Sequence, residues 1–217
     1  MSFDYKQFSL PVSEVIPEIK RKLSDGTTLI IKAPTGSGKS TLIPIALLEE
    51  EWLKGKRVIM LEPRRLAAKT LAIRMAAMLK QQVGETVGYR IRFEQKISKK
   101  TKLEVVTEGI LTRLIHEDNY LQDIGLIIFD EFHERSIHAD LAMAFTKEVQ
   151  GVLREDLRIV VMSATINMPE LASRLNATEV ESEGRMFPVE INYEGDSDLK
   201  ILPEMVHQAV KKAIKHK

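Results

Sequence analysis

The 217-residue chain contains no cysteine. That excludes a disulfide scaffold and any zinc site held by thiolates, and it agrees with a reducing compartment. An excess of one charge is also lacking. The formal net charge is +1 with 29% charged residues, which excludes a strongly basic nucleic-acid wrapper and requires any polyanion to be held by a local patch. No apolar run approaches the length of a membrane span, and the first twenty residues place charges and prolines where a secretory signal needs an uninterrupted apolar stretch. The expectation is a soluble, cytoplasmic protein. Aromatic residues make up only 6% of the chain. No cluster of them reads as a base-stacking platform, so sequence-specific reading of nucleic acid is unsupported. Internal repeats and low-complexity segments are absent as well.

Hydrophobic residues account for 44% of the chain, enough for the core of one α/β domain at this length. Short apolar runs rich in β-branched residues recur at Thr28 to Lys32, Arg57 to Glu62, Lys102 to Thr107, Leu126 to Asp130 and Ile159 to Met162, and they predict buried strands. Helical spacing falls between several of them, at Lys39 to Glu50, Arg64 to Lys80, Gly109 to His116 and Ala139 to Leu153. Strand alternating with helix predicts an α/β fold with a mainly parallel sheet covered on both faces. After Met168-Pro169, a short helical piece leads to the Glu-rich turn at 181–184. An alternating strand, Pro188 to Tyr193, is then expected to close the domain. The polar run Glu194 to Asp198 predicts a linker, so the domain is read as residues 1–194. Residues 195–217 are read as the linker and a basic amphipathic helix from about Pro203 to Lys217.

Two segments carry chemistry. Ala33-Pro34-Thr35-Gly36-Ser37-Gly38-Lys39-Ser40-Thr41 follows a predicted strand and opens a predicted helix, the context a phosphate-binding loop requires. Gly36 and Gly38 permit the tight turn that aims backbone N–H groups at phosphates. The helix beginning near Lys39 adds the positive end of its dipole. Lys39 would neutralise the β and γ phosphates, and the Ser40 hydroxyl would ligate Mg²⁺. Ala33 departs from the general pattern, which has Gly there; the plain alternative is a Gly-rich turn. The second segment is the apolar run Leu126 to Phe129, which ends in Asp130-Glu131-Phe132-His133-Glu134-Arg135. It places acids at the carboxyl edge of a central strand, where ligands bind in open α/β sheets. Asp130 would hold Mg²⁺ through its water shell, and Glu131 would orient or deprotonate the attacking water. A zinc helix built from His133 and His138 fails on spacing, because residues five apart do not share a helical face. His116 and His207 read as surface residues.

Asp130-Glu131-Phe132-His133 resembles the DEAH box of superfamily 2 helicases, with Phe in place of Ala. In the same order along the chain, Glu62 to Ala68 resembles helicase motif Ia, Thr107-Glu108-Gly109 resembles motif Ib, and Ser163-Ala164-Thr165 resembles motif III. The likeness runs from about Leu10 to Tyr193 and is greatest to the bacterial HrpB-type DEAH helicases, including the stretches Val83 to Arg90 and Ser182 to Arg185. It implies the first RecA-like domain of an ATP-dependent RNA helicase that uses ATP and Mg, with DNA not excluded as the strand. By the same resemblance Thr35 to Thr41 bind the nucleotide, and Lys39, Asp130, Glu131 and His133 are the catalytic set. Ser163 and Thr165 couple the ATP state to domain movement, and His133 faces a second domain. Arg74 matches a position that stacks on the adenine; its alternative is a solvated helix face, and both stay open. Arg64, Thr107 and Gly109 match contacts to the sugar-phosphate backbone. Arg90 and Arg92, read as lying on one strand, extend that patch, although Arg65 or Arg92 could equally serve in a structural ion pair.

Nothing after Thr165 resembles the arginine-bearing motif by which the second motor domain of such helicases completes the ATP site. The resemblance therefore implies half of a catalytic site, with 204–217 similar to the start of that second domain. Nucleotide binding, feeble hydrolysis and no unwinding are expected of this chain alone, as a monomer that does not touch membranes. A regulatory nucleotide switch and a kinase on the same loop are the competing classes. The kinase is disfavoured because no lid-like insertion with arginines occurs and because adjacent Asp130 and Glu131 suit water activation.

Overall fold

The structure is a computed structural model and describes residues 3–165, 168–184, 191, 193 and 201–215. Residues 1–185 form one compact unit and 186–217 a second. In the first, the strands are β1 (Thr28–Lys32), β2 (Arg57–Leu61), β3 (Val87–Ile91), β4 (Glu94–Lys96), β5 (Leu103–Val106), β6 (Ile124–Phe129), β7 (Arg158–Ser163) and β8 (Thr178–Glu181). The helices are α1 (Ile16–Asp25), α2 (Lys39–Ala46), α3 (Arg65–Met78), α4 (Glu108–Glu117), α5 (Ile137–Val152) and α6 (Met168–Leu175). The described part of the second unit contains α7 (Leu202–Lys215), with exposed Val206 and Val210 four residues apart on one face.

The sheet order is β4-β3-β5-β2-β6-β7-β1-β8. Every pairing is parallel except the β3–β4 hairpin. Strand periodicity sorts the core into two layers. Leu29, Ile31, Val58, Met60, Leu126, Ile128, Val160 and Met162 face α1, α2 and α3, where Ile19, Leu42 and Met75 meet them. The alternate residues, among them Ile30, Ile59, Ile127, Phe129 and Val161, face α4, α5 and α6 through Leu111, Met143 and Ala172. Both faces are covered, so the central strands are apolar on both sides, as the expected α/β fold requires. Because the main strands run parallel, β1, β2, β5, β6 and β7 all end at one edge of the sheet. The residues that follow them are the start of the phosphate loop, Glu62, Thr107, Asp130 and the segment after Ser163.

Three expectations are corrected. The helix read as Lys39 to Glu50 ends at Ala46. Pro44 lies inside it, and a proline there removes an N–H and crowds the carbonyl one turn earlier, so the helix does not propagate far. Arg92 is not on a strand; it follows β3 in the turn of the β3–β4 hairpin, and only Arg90 lies on the strand. The edge strand beside β1 is β8, Thr178–Glu181, a stretch read as helix running into a turn. It is short and carries two glutamates, as edge strands often do, and so has little apolar pattern to read. The strand expected at Pro188 to Tyr193 falls mostly outside the described residues.

Candidate nucleotide site and nucleic-acid edge

The loop between β1 and α2 is fixed at both ends. The Ala33 N–H donates to the Ser163 carbonyl at 3.0 Å, and the Val12 N–H donates to the Ser37 carbonyl at 3.2 Å. Gly36 and Gly38 have φ of +78° and +92°, the left-handed region that favours glycine. At Gly38 a Cβ would also stand 2.7 Å from Leu10 Cδ1. Leu10, absent from the sequence reading of the loop, is thus part of its wall. Thr35 and Gly36 are exposed, Ser40 and Thr41 are half-buried, and the Ser37 hydroxyl is buried with no partner in the protein.

Lys39 opens α2 and is only 3% exposed. Its Nζ lies 3.0 Å from Glu131 Oε1, so the loop and the acidic segment meet as their sequence roles anticipate. Asp130 is 2% exposed. Its Oδ1 accepts the Glu131 N–H at 2.9 Å, and its Oδ2 is buried without a partner. Burial lifts the Asp130 pKa to about 6; the Ser40 hydroxyl opposes the shift, the Glu131 charge adds to it, and Lys39 opposes it. The unpartnered Oδ2 and the neighbouring Ser40 hydroxyl are two hard oxygen donors beside the loop. That donor set suits Mg²⁺, which takes one or two protein oxygens together with substrate phosphates.

The acidic segment is bent sharply. Glu131 and Arg135 both have left-handed φ, +48° and +44°, and such strain in non-glycine residues concentrates at functional sites. Phe132 is buried and meets Phe129 edge-on, with ring centroids 6.1 Å apart. The Phe of the box therefore anchors the bend in the α4–α5 layer of the core. His133 points back toward Glu131, its Nδ1 3.4 Å from Oε2 without a hydrogen bond. Ser163 is fully buried at the end of β7, and its Oγ accepts the N–H of exposed Thr165 at 3.4 Å.

A third acid joins this edge. Glu62 follows β2 and is 2% exposed. Burial and, next, the charge of Asp130 raise its pKa to about 7. Its Oε1 accepts the Arg64 N–H at 3.2 Å. No role for it was read from the sequence, although an acid closing an apolar run directly before Pro63 was the available signal.

The residues assigned to nucleic acid divide. Arg64 is 64% exposed, and the Arg64 Nη2 lies 3.0 Å from Glu134 Oε1. Thr107 precedes α4 and is buried, while Gly109 is exposed in the first turn of α4 with open space around it. Arg90 is held in an ion pair: its Nη2 lies 3.0 Å from Glu104, a buried acid within β5 that Arg57 also pairs. Pairing a buried carboxylate gives this arginine a structural role. The structural ion pair thus belongs to Arg90 rather than to Arg65 or Arg92. The Arg92 guanidinium instead lies over the Phe93 ring at 4.7 Å. Phe93, not singled out in the sequence, is 90% exposed at the hairpin tip with φ of +68°. Arg74 is exposed on α3 with no ion pair among the described residues, which leaves its two readings as they stood.

A parallel sheet whose carboxyl edge joins a phosphate loop to an Asp-Glu pair defines a RecA-like phosphate-loop domain. The chain belongs to the DEAD/DEAH box helicase family, whose model matches residues 12–173. It is 47% identical over 207 residues to the ATP-dependent RNA helicase HrpB of Escherichia coli K12, covering 95% of this chain and 24% of that one. To the ATP-dependent RNA helicase HrpA of the same organism it is 40% identical over 188 residues, covering 85% of this chain and 14% of that one. A crystal structure of the E. coli DEAH/RHA helicase HrpB superposes with a TM-score of 0.80 at 49% identity, over 84% of this chain and 23% of that one. A second HrpB crystal structure, described as a DExH-box NTPase, gives 0.81 at 44% identity over 97% and 26%. The chain thus spans about a quarter of the length of HrpB.

Proposed function

We propose that this domain binds Mg-ATP in the loop Thr35 to Thr41 and hydrolyses it as part of an RNA helicase motor. The observation that carries the reading is the buried Lys39–Glu131 pair, 3.0 Å apart, beside the unpartnered Asp130 Oδ2. A triphosphate entering the loop offers Lys39 a stronger anionic partner and releases Glu131 from it. Backbone N–H groups of 36–40 and the start of α2 cradle the phosphates. Ser40 and Asp130 would hold Mg²⁺, which would supply charge neutralisation to the phosphates. Glu131 then orients a water whose oxygen attacks the γ phosphorus as the bond to the β–γ bridging oxygen breaks. ADP leaves with that electron pair, and the water proton passes through the Glu131 carboxylate.

The nucleic-acid surface of the proposal is Arg64, the first turn of α4 at Thr107 and Gly109, and the Arg92–Phe93 tip. The starts of α3 and α4 favour phosphates through their exposed N–H groups. Ser163 and Thr165 would link the nucleotide to a second RecA-like domain, which His133 would face. A cytoplasmic monomer that acts on RNA, with a domain boundary near residue 194, completes the reading. HrpB and HrpA are named ATP-dependent RNA helicases, and that supports the choice of RNA. The test is turnover of Mg-ATP by this chain with and without single-stranded RNA, together with binding of a fluorescent ATP analogue. Tight binding that Lys39→Ala abolishes, with slow turnover, is expected. Absence of nucleotide binding by the parent chain refutes the proposal.

A further inference from the structure

The segment Glu131 to Ser136 touches the nucleotide loop at one end and both nucleic-acid loops at the other. Glu131 holds Lys39. Glu134 Oε1 lies 3.0 Å from the Arg64 guanidinium, just after β2. The Ser136 hydroxyl donates to Glu108 Oε1 at 2.6 Å, in the first turn of α4. Ser136 also caps α5 by accepting the Ala139 N–H at 3.0 Å. Between these ties the backbone carries two left-handed residues, Glu131 and Arg135.

We propose that Glu134 and Ser136 are positioning residues that hold the nucleic-acid loops in a free-state arrangement, and that a phosphate backbone competes with Glu134 for Arg64. The inference rests on the reading of Arg64 as a backbone contact. Three ties hold Arg64. Its main-chain N–H is fixed to buried Glu62, and its guanidinium lies 3.7 Å from the same Glu62 Oε1 through Nε while Nη2 reaches Glu134 in solvent, the Arg64 and Glu134 side chains being 64% and 36% exposed. A pair this exposed is weak and exchangeable. A phosphate offers the guanidinium a stronger, bidentate partner without moving the Arg64 backbone. Release of Glu134 then frees the same short segment that sets the position of Glu131 against Lys39. Nucleic acid and nucleotide thereby act on one element, and their effects on each other's affinity are reciprocal.

The test is anisotropy of a labelled single-stranded RNA with this chain, with and without a Mg-bound non-hydrolysable ATP analogue. Glu134→Gln is expected to bind RNA about two- to fivefold more tightly. The ratio of RNA affinities with and without nucleotide is expected to move toward one, and Glu134→Asp to restore it. Arg64→Ala is expected to weaken RNA binding in both states. If Arg64→Ala weakens binding while Glu134→Gln changes neither affinity nor ratio, the inference is overturned and the interface reading stands. If Arg64→Ala has no effect on RNA binding, the interface reading falls and the inference falls with it.

Discussion

Replacing Glu62 by Gln is expected to stabilise the metal- and nucleotide-free chain at alkaline pH and to leave it nearly unchanged at acid pH. Glu62 is buried beside Asp130, and its carboxyl titrates at about 7 in the fold against 4.5 for the ordinary group. A folded value above the unfolded one means that the folded state binds more protons between the two. Stability is therefore full below about pH 4.5 and is lost as pH rises through 7. At about 1.4 kcal/mol per tenfold step, the separation corresponds to roughly 3 kcal/mol by pH 8. Asp130, lifted to about 6, acts in the same direction. The Asp130 charge is one cause of the Glu62 shift, so the two losses are not additive. Gln keeps an acceptor for the Arg64 N–H, 3.2 Å away in the parent, and removes only the charge. Urea unfolding at intervals from pH 4.5 to 8 measures the effect. The variant should gain about 1–3 kcal/mol over the parent at pH 8 and lie within about 0.5 kcal/mol of it at pH 4.5. Parallel pH profiles for the two proteins, or a variant that is weaker at pH 8, would refute the assignment of a burdened carboxyl to this edge.

Glu131→Gln should retain binding of a fluorescent ATP analogue while Mg-ATP turnover, followed by phosphate release, falls by about 10²- to 10⁴-fold. Gly38→Ala should lose about 1–3 kcal/mol in urea unfolding and weaken nucleotide binding, because alanine must adopt φ of +92° with its Cβ 2.7 Å from Leu10 Cδ1. Phe93→Gly should leave the fold intact or stabilise it by up to about 1 kcal/mol, since it relieves a left-handed aromatic residue that packs little surface. The same change should weaken binding of labelled single-stranded RNA at constant salt. Unaltered RNA affinity would remove the hairpin tip from the proposed surface.

The central architecture was legible because parallel strands buried on both faces read as continuous apolar runs. Five of them, from Thr28 to Met162, fall on β1, β2, β5, β6 and β7 to within a residue or two at each end. The phosphate loop and the acidic pair were legible for a different reason: each is contiguous in sequence, so its local context identifies it. What stayed hidden depends on juxtaposition. Glu104 sits in the middle of an otherwise apolar strand, and only the sheet order shows that Arg57 and Arg90 converge on it. Arg90 and Arg92 look equivalent in sequence, but a strand pairing that ends at Ile91 separates a buried ion pair from an exposed turn. β8 escaped because a four-residue strand containing two glutamates has no period to detect. Glu134 likewise gives no local sign that it reaches across to Arg64.

The acidic edge also sets how ligand binding and pH act together. Glu62, Asp130 and Glu131 gather at the ends of β2 and β6, and the cations placed against them are Lys39 and Arg64. In the free domain, burial above all, with charge repulsion adding to it, favours the protonated forms, so Glu62 and Asp130 titrate high. A divalent cation held by Asp130 and Ser40, as proposed, would neutralise the acids without protons, so its binding should displace them. The stabilisation that Mg-nucleotide confers should therefore grow as pH rises from about 5 to 8, where the free domain loses most. An uncharged edge built from Gln and Asn would be more stable alone and would have no such dependence. The retained acids are most simply explained as a site kept destabilised until its ligand arrives.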